Sequence, residues 1–84
     1  MKNKMLVEIF FPACGRTLEF RIPRAYYVFQ VNELLVRFFA EHPIGGYVPD
    51  ENSMLCDAKT GRILNGNLSI SQLERMDNPK LMLI

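Results

Sequence analysis

The chain has 84 residues, 49% of them hydrophobic and 23% charged, with ten Lys and Arg against nine Asp and Glu for a formal net charge of +1. This length suits one domain, residues 1–84, and is too short for two. The composition excludes a disordered chain, which needs low hydrophobicity and high net charge. Balanced, scattered charge also argues against nucleic-acid binding, which calls for a basic excess on one face.

The two cysteines, Cys14 and Cys56, are fewer than the roughly four or more of a small secreted disulfide scaffold. Free thiols in a reducing compartment are expected, with a Cys14–Cys56 bridge as the alternative. Neither belongs to the C-x-x-C pair of a metal or redox motif. Met1-Lys2-Asn3-Lys4 is basic, but Glu8 interrupts the apolar run that follows it, and no cleavage site of small residues lies beyond. No stretch reaches the ~20 apolar residues that cross a bilayer. A cytoplasmic protein without membrane insertion is expected.

Residues 5–11, Met-Leu-Val-Glu-Ile-Phe-Phe, are β-branched and aromatic, which suits a strand. Alternation sets Val7, Ile9 and Phe11 on one face and Leu6, Glu8 and Phe10 on the other. Pro12-Ala13-Cys14-Gly15 reads as a turn. Thr17 to Ile22 alternates again, with Leu18, Phe20 and Ile22 inward, so a hairpin is expected. From Tyr26 to His42 the period changes. Val28, Val31, Leu35 and Phe38 recur three and four residues apart, and Leu34 and Phe39 widen the stripe; this is a helix packed on the hairpin. Pro43 stops it and Gly45-Gly46 leads away. No Ser, Thr, Asp or Asn stands where an N-cap is expected.

Beyond the helix, Met54-Leu55-Cys56 and Arg62-Ile63-Leu64 read as short strands around an Asp57–Gly61 turn. Asn65-Gly66 is a turn signal. One helical turn is expected within Leu68–Met76, and Lys80–Ile84 is a final strand. This strand can run parallel to the first, because the intervening helix supplies the crossover. The order is that of an α+β fold, a mixed sheet of four to five strands with one main helix on one face.

In this order the chain resembles ubiquitin, over nearly its whole length from Met5 to Ile84. Gly46-Tyr47-Val48-Pro49-Asp50 followed by Met54-Leu55-Cys56 is similar to ubiquitin's glycine, Ile-Pro-Pro-Asp and Leu-Ile-Phe stretch. Ile70-Ser71-Gln72-Leu73 is similar to its Leu-Ser-Asp-Tyr corner, and Lys80–Ile84 to its last strand. The resemblance implies the β-grasp fold. Ubiquitin and the sulfur carriers of this fold end in a Gly-Gly tail, whereas this sequence stops at Ile84, so neither conjugation nor sulfur transfer is expected. Tail-less ubiquitin-like proteins include the YukD/EsaB family, small cytosolic accessories of the type VII systems that export WXG100 proteins. This chain resembles them in length and in the pattern from Gly61 to Leu73. Their resemblance implies secretion-machinery partners. A second tail-less group of this size is the small ubiquitin-like subunit of bacterial diiron aromatic monooxygenases, which implies a role inside a multicomponent enzyme instead.

Chemistry is sparse in the sequence. His42 is the sole histidine, so any Cys-His or Ser-His arrangement depends on it, and its place at a helix C-terminus has a simpler electrostatic reason. The carboxylates form no paired motif. No enzyme activity, cofactor or metal is expected. The positive signal is apolar residues on outward positions. Alternation with Leu81 and Leu83 inward leaves Met82 and Ile84 on the open sheet face. Met54 reads as inward and Leu55 as outward, and Phe10 is outward on the first strand. By resemblance, Leu55 and Ile84 match two residues of ubiquitin's recognition patch. Leu55, Met82, Ile84 and Phe10 are therefore the expected protein-binding residues, with a homodimer as another occupant of the same patch.

Overall fold

The first strand keeps its alternation. In a computed structural model that describes residues 3–50, 52–73 and 80–84, β1 (Lys4–Phe11) buries Met5, Val7, Ile9 and Phe11. β2 (Arg16–Pro23) pairs with it antiparallel in one unbroken register from Lys4↔Pro23 to Phe11↔Arg16. The turn between them is closed by Cys14 N–H and Gly15 N–H, both donating to the Phe11 carbonyl at 3.2 and 2.8 Å. Gly15 takes φ +66°, a conformation that costs a residue with a Cβ about 1 kcal/mol or more. The expected hairpin is present.

α1 runs over Val28–Glu41 and buries Val28, Val31, Leu35 and Phe39, a stripe spaced three, four and four residues apart. Phe39 holds the central line, and Phe38 sits half-buried on its flank, edge-on to Phe20 with ring centroids 5.2 Å apart. The helix start has two substitutes for the missing cap residue. Gln30 Oε1 accepts the Tyr27 N–H at 2.9 Å. Val28 N–H and Phe29 N–H donate to the carbonyls of Leu68 and Gly66 at 2.8 and 3.1 Å. First-turn donors, which have no partner inside a helix, are thus satisfied by a loop far downstream in sequence, at Gly66 and Leu68. At the other end His42 N–H closes on the Phe38 carbonyl at 2.8 Å, before Pro43.

The downstream segments complete a four-stranded sheet of order β2-β1-β4-β3. β3 is Leu55–Asp57 and β4 is Lys80–Leu83; β4 runs parallel to β1 and antiparallel to β3. The expected Arg62–Leu64 strand shrinks to one bridge, Cys56↔Ile63. It is hemmed in by Gly61 at φ +75° and by the next turn, where Leu68 N–H donates to the Asn65 carbonyl at 3.0 Å and Asn67 N–H to Asn65 Oδ1 at 2.9 Å. The short helix α2 (Ile70–Leu73) begins with Ser69 N–H donating to Gln72 Oε1 at 2.9 Å. Its buried Ile70 and Leu73 join the core. The rest of the expected 68–76 turn lies outside the described residues.

One hydrophobic cluster joins the inner faces of β1, β2, β3 and β4 to α1 and α2. This is an α+β mixed sheet with a helix packed on one face, as the sequence implies. Among the described residues no helix is long and apolar enough to cross a membrane.

Two expected orientations are reversed. Leu55 is buried at 3% exposure and Met54 is 48% exposed. Leu55 stands opposite Leu83, whose side chain faces the helix, and Cys56 stands opposite Met82. Directly opposed residues share a face, so Leu55 belongs to the core and cannot bind a partner at the surface. Met54-Leu55-Cys56 is apolar throughout and too short to show a period, so its phase is set only by pairing with β4. A slip of one residue inverts every side chain.

Candidate functional site

The sheet face away from α1 divides into three bands. Thr17, Glu19 and Arg21 of β2, Lys4, Leu6, Glu8 and Phe10 of β1, and Lys80 and Met82 of β4 all project from it by alternation. The middle band is polar. Lys80 lies beside Glu8 in the parallel register, with Nζ 3.7 Å from Oε2, and Glu19 stands opposite Glu8 in β2. At one end Leu6, 56% exposed, lies between Lys4 and Arg21.

The other end is apolar. Phe10 lies beside Met82 in the parallel pairing, Met82 opposite Cys56, and Cys56 opposite Ile63. This row crosses the sheet. The next row begins where Met54 and Ile84 exchange both backbone hydrogen bonds, at 2.8 and 2.9 Å, which sets them face to face. Ile63, Ile84, Met54 and Phe10 are all exposed, Met82 is half-buried, and Cys56 is fully covered. Burial pushes the Cys56 thiol pKa up, so this side chain acts as a small hydrophobe beneath the patch. Contiguous apolar residues on a small surface mark an interaction site, and two methionines add adaptable contact.

Of the four residues singled out in the sequence, the structure brings together Phe10, Met82 and Ile84 and withdraws Leu55. It adds Met54 and Ile63. A reading of β3 in the opposite phase yields Met54; Ile63 depends on a long-range bridge with no local signal.

Apart from Cys56, covered beneath the patch, the reactive side chains lie elsewhere. Cys14 and Cys56 are free thiols in the hairpin turn and in β3. His42 ends α1 with its ring 5.0 Å from that of Phe38. Tyr47 packs on Phe39 and Phe11, with ring centroids 5.2 and 6.2 Å apart. Its phenol pKa is raised, first by burial and then by the neighbouring Cys14 and Asp50, against a lowering contact with Ser53. Among the described residues no group of three or more His, Cys, Asp or Glu side chains could hold a metal ion.

Solved structures share this architecture. The N-terminal ubiquitin-like domain of the 4931431F19Rik protein matches with a TM-score of 0.69 at 16% identity, over 98% of this chain and 74% of that one. A de novo design based on ubiquitin matches with a TM-score of 0.60 at 15% identity, over 100% of this chain and 90% of that one. The chain therefore has the ubiquitin-like fold. No protein-family model matches the sequence, and no curated protein does.

Proposed function

We infer that this chain is a non-catalytic protein-interaction module that receives an apolar partner surface on the open face of its sheet. The observation that carries this reading is the continuous apolar patch of Met54, Ile84, Met82, Phe10 and Ile63, on the side that α1 does not cover. A domain with the ubiquitin-like fold has one face committed to its helix and the other available, and here the available face is apolar at one end only. The process we assign is an accessory role in WXG100 export, supported by the resemblance of Gly61–Leu73 to the YukD/EsaB proteins.

The test is co-purification of the N-terminally tagged chain from its native host, beside the variant Met82→Asp plus Ile84→Asp. A secretion ATPase or membrane component recovered with the native chain and lost with the variant is expected. A diiron hydroxylase recovered in its place moves the chain to the multicomponent enzyme. Equal recovery of partners by both proteins removes the patch from the reading.

A further inference from the structure

The two edges of the sheet are finished differently. β3 is three residues long, and its outer side is covered: Leu64 N–H donates to the Leu55 carbonyl and Asp57 N–H to the Arg62 carbonyl, at 2.9 and 2.8 Å. β2 is eight residues long, and every one pairs with β1 without a bulge. Natural sheets blunt such edges by shortening, bulging, covering or charging them, because an open row of N–H and C=O groups templates another strand; the β2 edge keeps its full length and carries only charges, Arg16, Glu19 and Arg21, and a terminal Pro23.

The hydrogen-bonding phase of that edge follows from one bond. Arg24 N–H donates to the Asn3 carbonyl at 2.8 Å, and Asn3 stands opposite Arg24 by extension of the Lys4↔Pro23 register. In an antiparallel ladder, pairs that exchange hydrogen bonds alternate with pairs that do not. Ile22, Phe20 and Leu18 therefore bond to β1, and Arg21, Glu19 and Thr17 turn their N–H and C=O groups outward. Pro23 ends this outward row. It has no N–H, and its carbonyl already accepts the Tyr26 N–H at 3.0 Å.

We propose that the β2 edge pairs antiparallel with the β2 edge of a second copy of this chain, about a twofold axis at Phe20. In this register Glu19 of each copy stands opposite Arg21 of the other. Both residues are exposed, and neither has an ion-pair partner among the described residues. The twofold makes the attraction occur twice, and opposite charges set directly across a ladder are favourable while like charges are not. Sliding the register one way sets Glu19 against Glu19, and sliding it the other way sets Arg21 against Arg21. Charge thus selects one register. It also sets the two Phe20 residues across from each other in a non-hydrogen-bonded pair, the closer kind. Each Phe20 is half-buried against its own Phe38. The pairing extends the sheet across both copies and uses none of the apolar patch residues, so it stands apart from the partner site proposed above.

The experiment is sedimentation equilibrium on the full chain over roughly 10 µM to 1 mM, the range of weak association. The native chain is expected to pass from monomer to dimer. Glu19→Arg alone and Arg21→Glu alone each turn both cross-copy pairs repulsive, and each is expected to weaken association about tenfold or more. The double variant Glu19→Arg plus Arg21→Glu restores opposite charges and is expected to recover it. These positions project from the open face, so circular dichroism should show all three variants folded. A native chain that stays monomeric throughout overturns the proposal and leaves the edge to an extended segment of another protein. Dimerisation insensitive to both single swaps, or abolished by Ile84→Asp instead, overturns it in favour of the apolar patch. Failure of the double variant to recover overturns the register.

Discussion

The two faces of the sheet use the same residue types to opposite ends. On the helix side, Val7, Ile9, Phe11, Leu55, Leu81 and Leu83 are at most 3% exposed and belong to one cluster with α1. On the open side, Phe10, Met54 and Ile84 are nearly as apolar and lie one residue away from those core positions, yet are 38%, 48% and 55% exposed. Hydrophobicity alone does not separate the faces. What separates them is which face the helix covers, and on a strand that is decided by the parity of each position.

The two faces differ most sharply at neighbouring residues. Leu55→Asp places a charge in the core without a partner. Its cost of several kcal/mol is a large share of a domain stability of about 5–15 kcal/mol, so the variant should be unfolded by circular dichroism at 25 °C. Met54→Asp, one residue earlier, should stay folded within ~1 kcal/mol of the native chain by urea titration. A folded Leu55→Asp protein with an unfolded Met54→Asp protein would falsify the register of β3.

A smaller contrast comes from truncation. Phe39→Ala removes a fully buried ring that packs on Phe11 with centroids 4.8 Å apart, and should cost about 3–5 kcal/mol. Ile84→Ala should cost about 0.5 kcal/mol or less, as surface changes do. Comparing the two urea midpoints at equal slope reads the difference.

The smallest effect is alkaline. Burial raises the pKa values of Cys56 and Tyr47 above their unfolded values, so each contributes stability that is present below the unfolded value and lost as pH rises through the folded one. Stability should be level at neutral pH and begin to fall above roughly pH 8.5–9, where an unfolded thiol starts to ionise. Cys56→Ala should flatten the first part of that fall, measured by urea titration at successive pH values.

The hairpin and main helix were legible because their periods extend over enough residues to fix a phase. Eight-residue β1 alternates and fourteen-residue α1 carries a full stripe. The α+β class followed from their order. The second half was harder for a physical reason. Three-residue β3 has no internal period, and Arg62–Leu64 is held by a single bridge. Part of the cap of α1 was invisible because the acceptors for Val28 and Phe29 come from Leu68 and Gly66, distant in sequence, while only the Gln30 side chain is local. The candidate site inherits this division. Phe10, Met82 and Ile84 sit on strands whose phase the sequence shows, while Met54 and Ile63 sit where only tertiary pairing decides.

The parallel pairing of β1 with β4 also sets when folding can finish during synthesis. β4 lies between β1 and β3 in the sheet, although it is the last of these strands to be translated. A nascent chain that has reached α2 can form the hairpin and lay α1 across it, but β1 still has a bare side and β3 is paired only on its outer side, with residues 62–64. Closure waits for the pairing of Phe10 with Met82, a contact between strands far apart in sequence with a long loop to close, and such distant contacts slow folding. A ribosome-stalled chain with Lys80–Leu83 still inside the exit tunnel should be cut readily by protease, and release of those four residues should bring protection of the whole sheet at once.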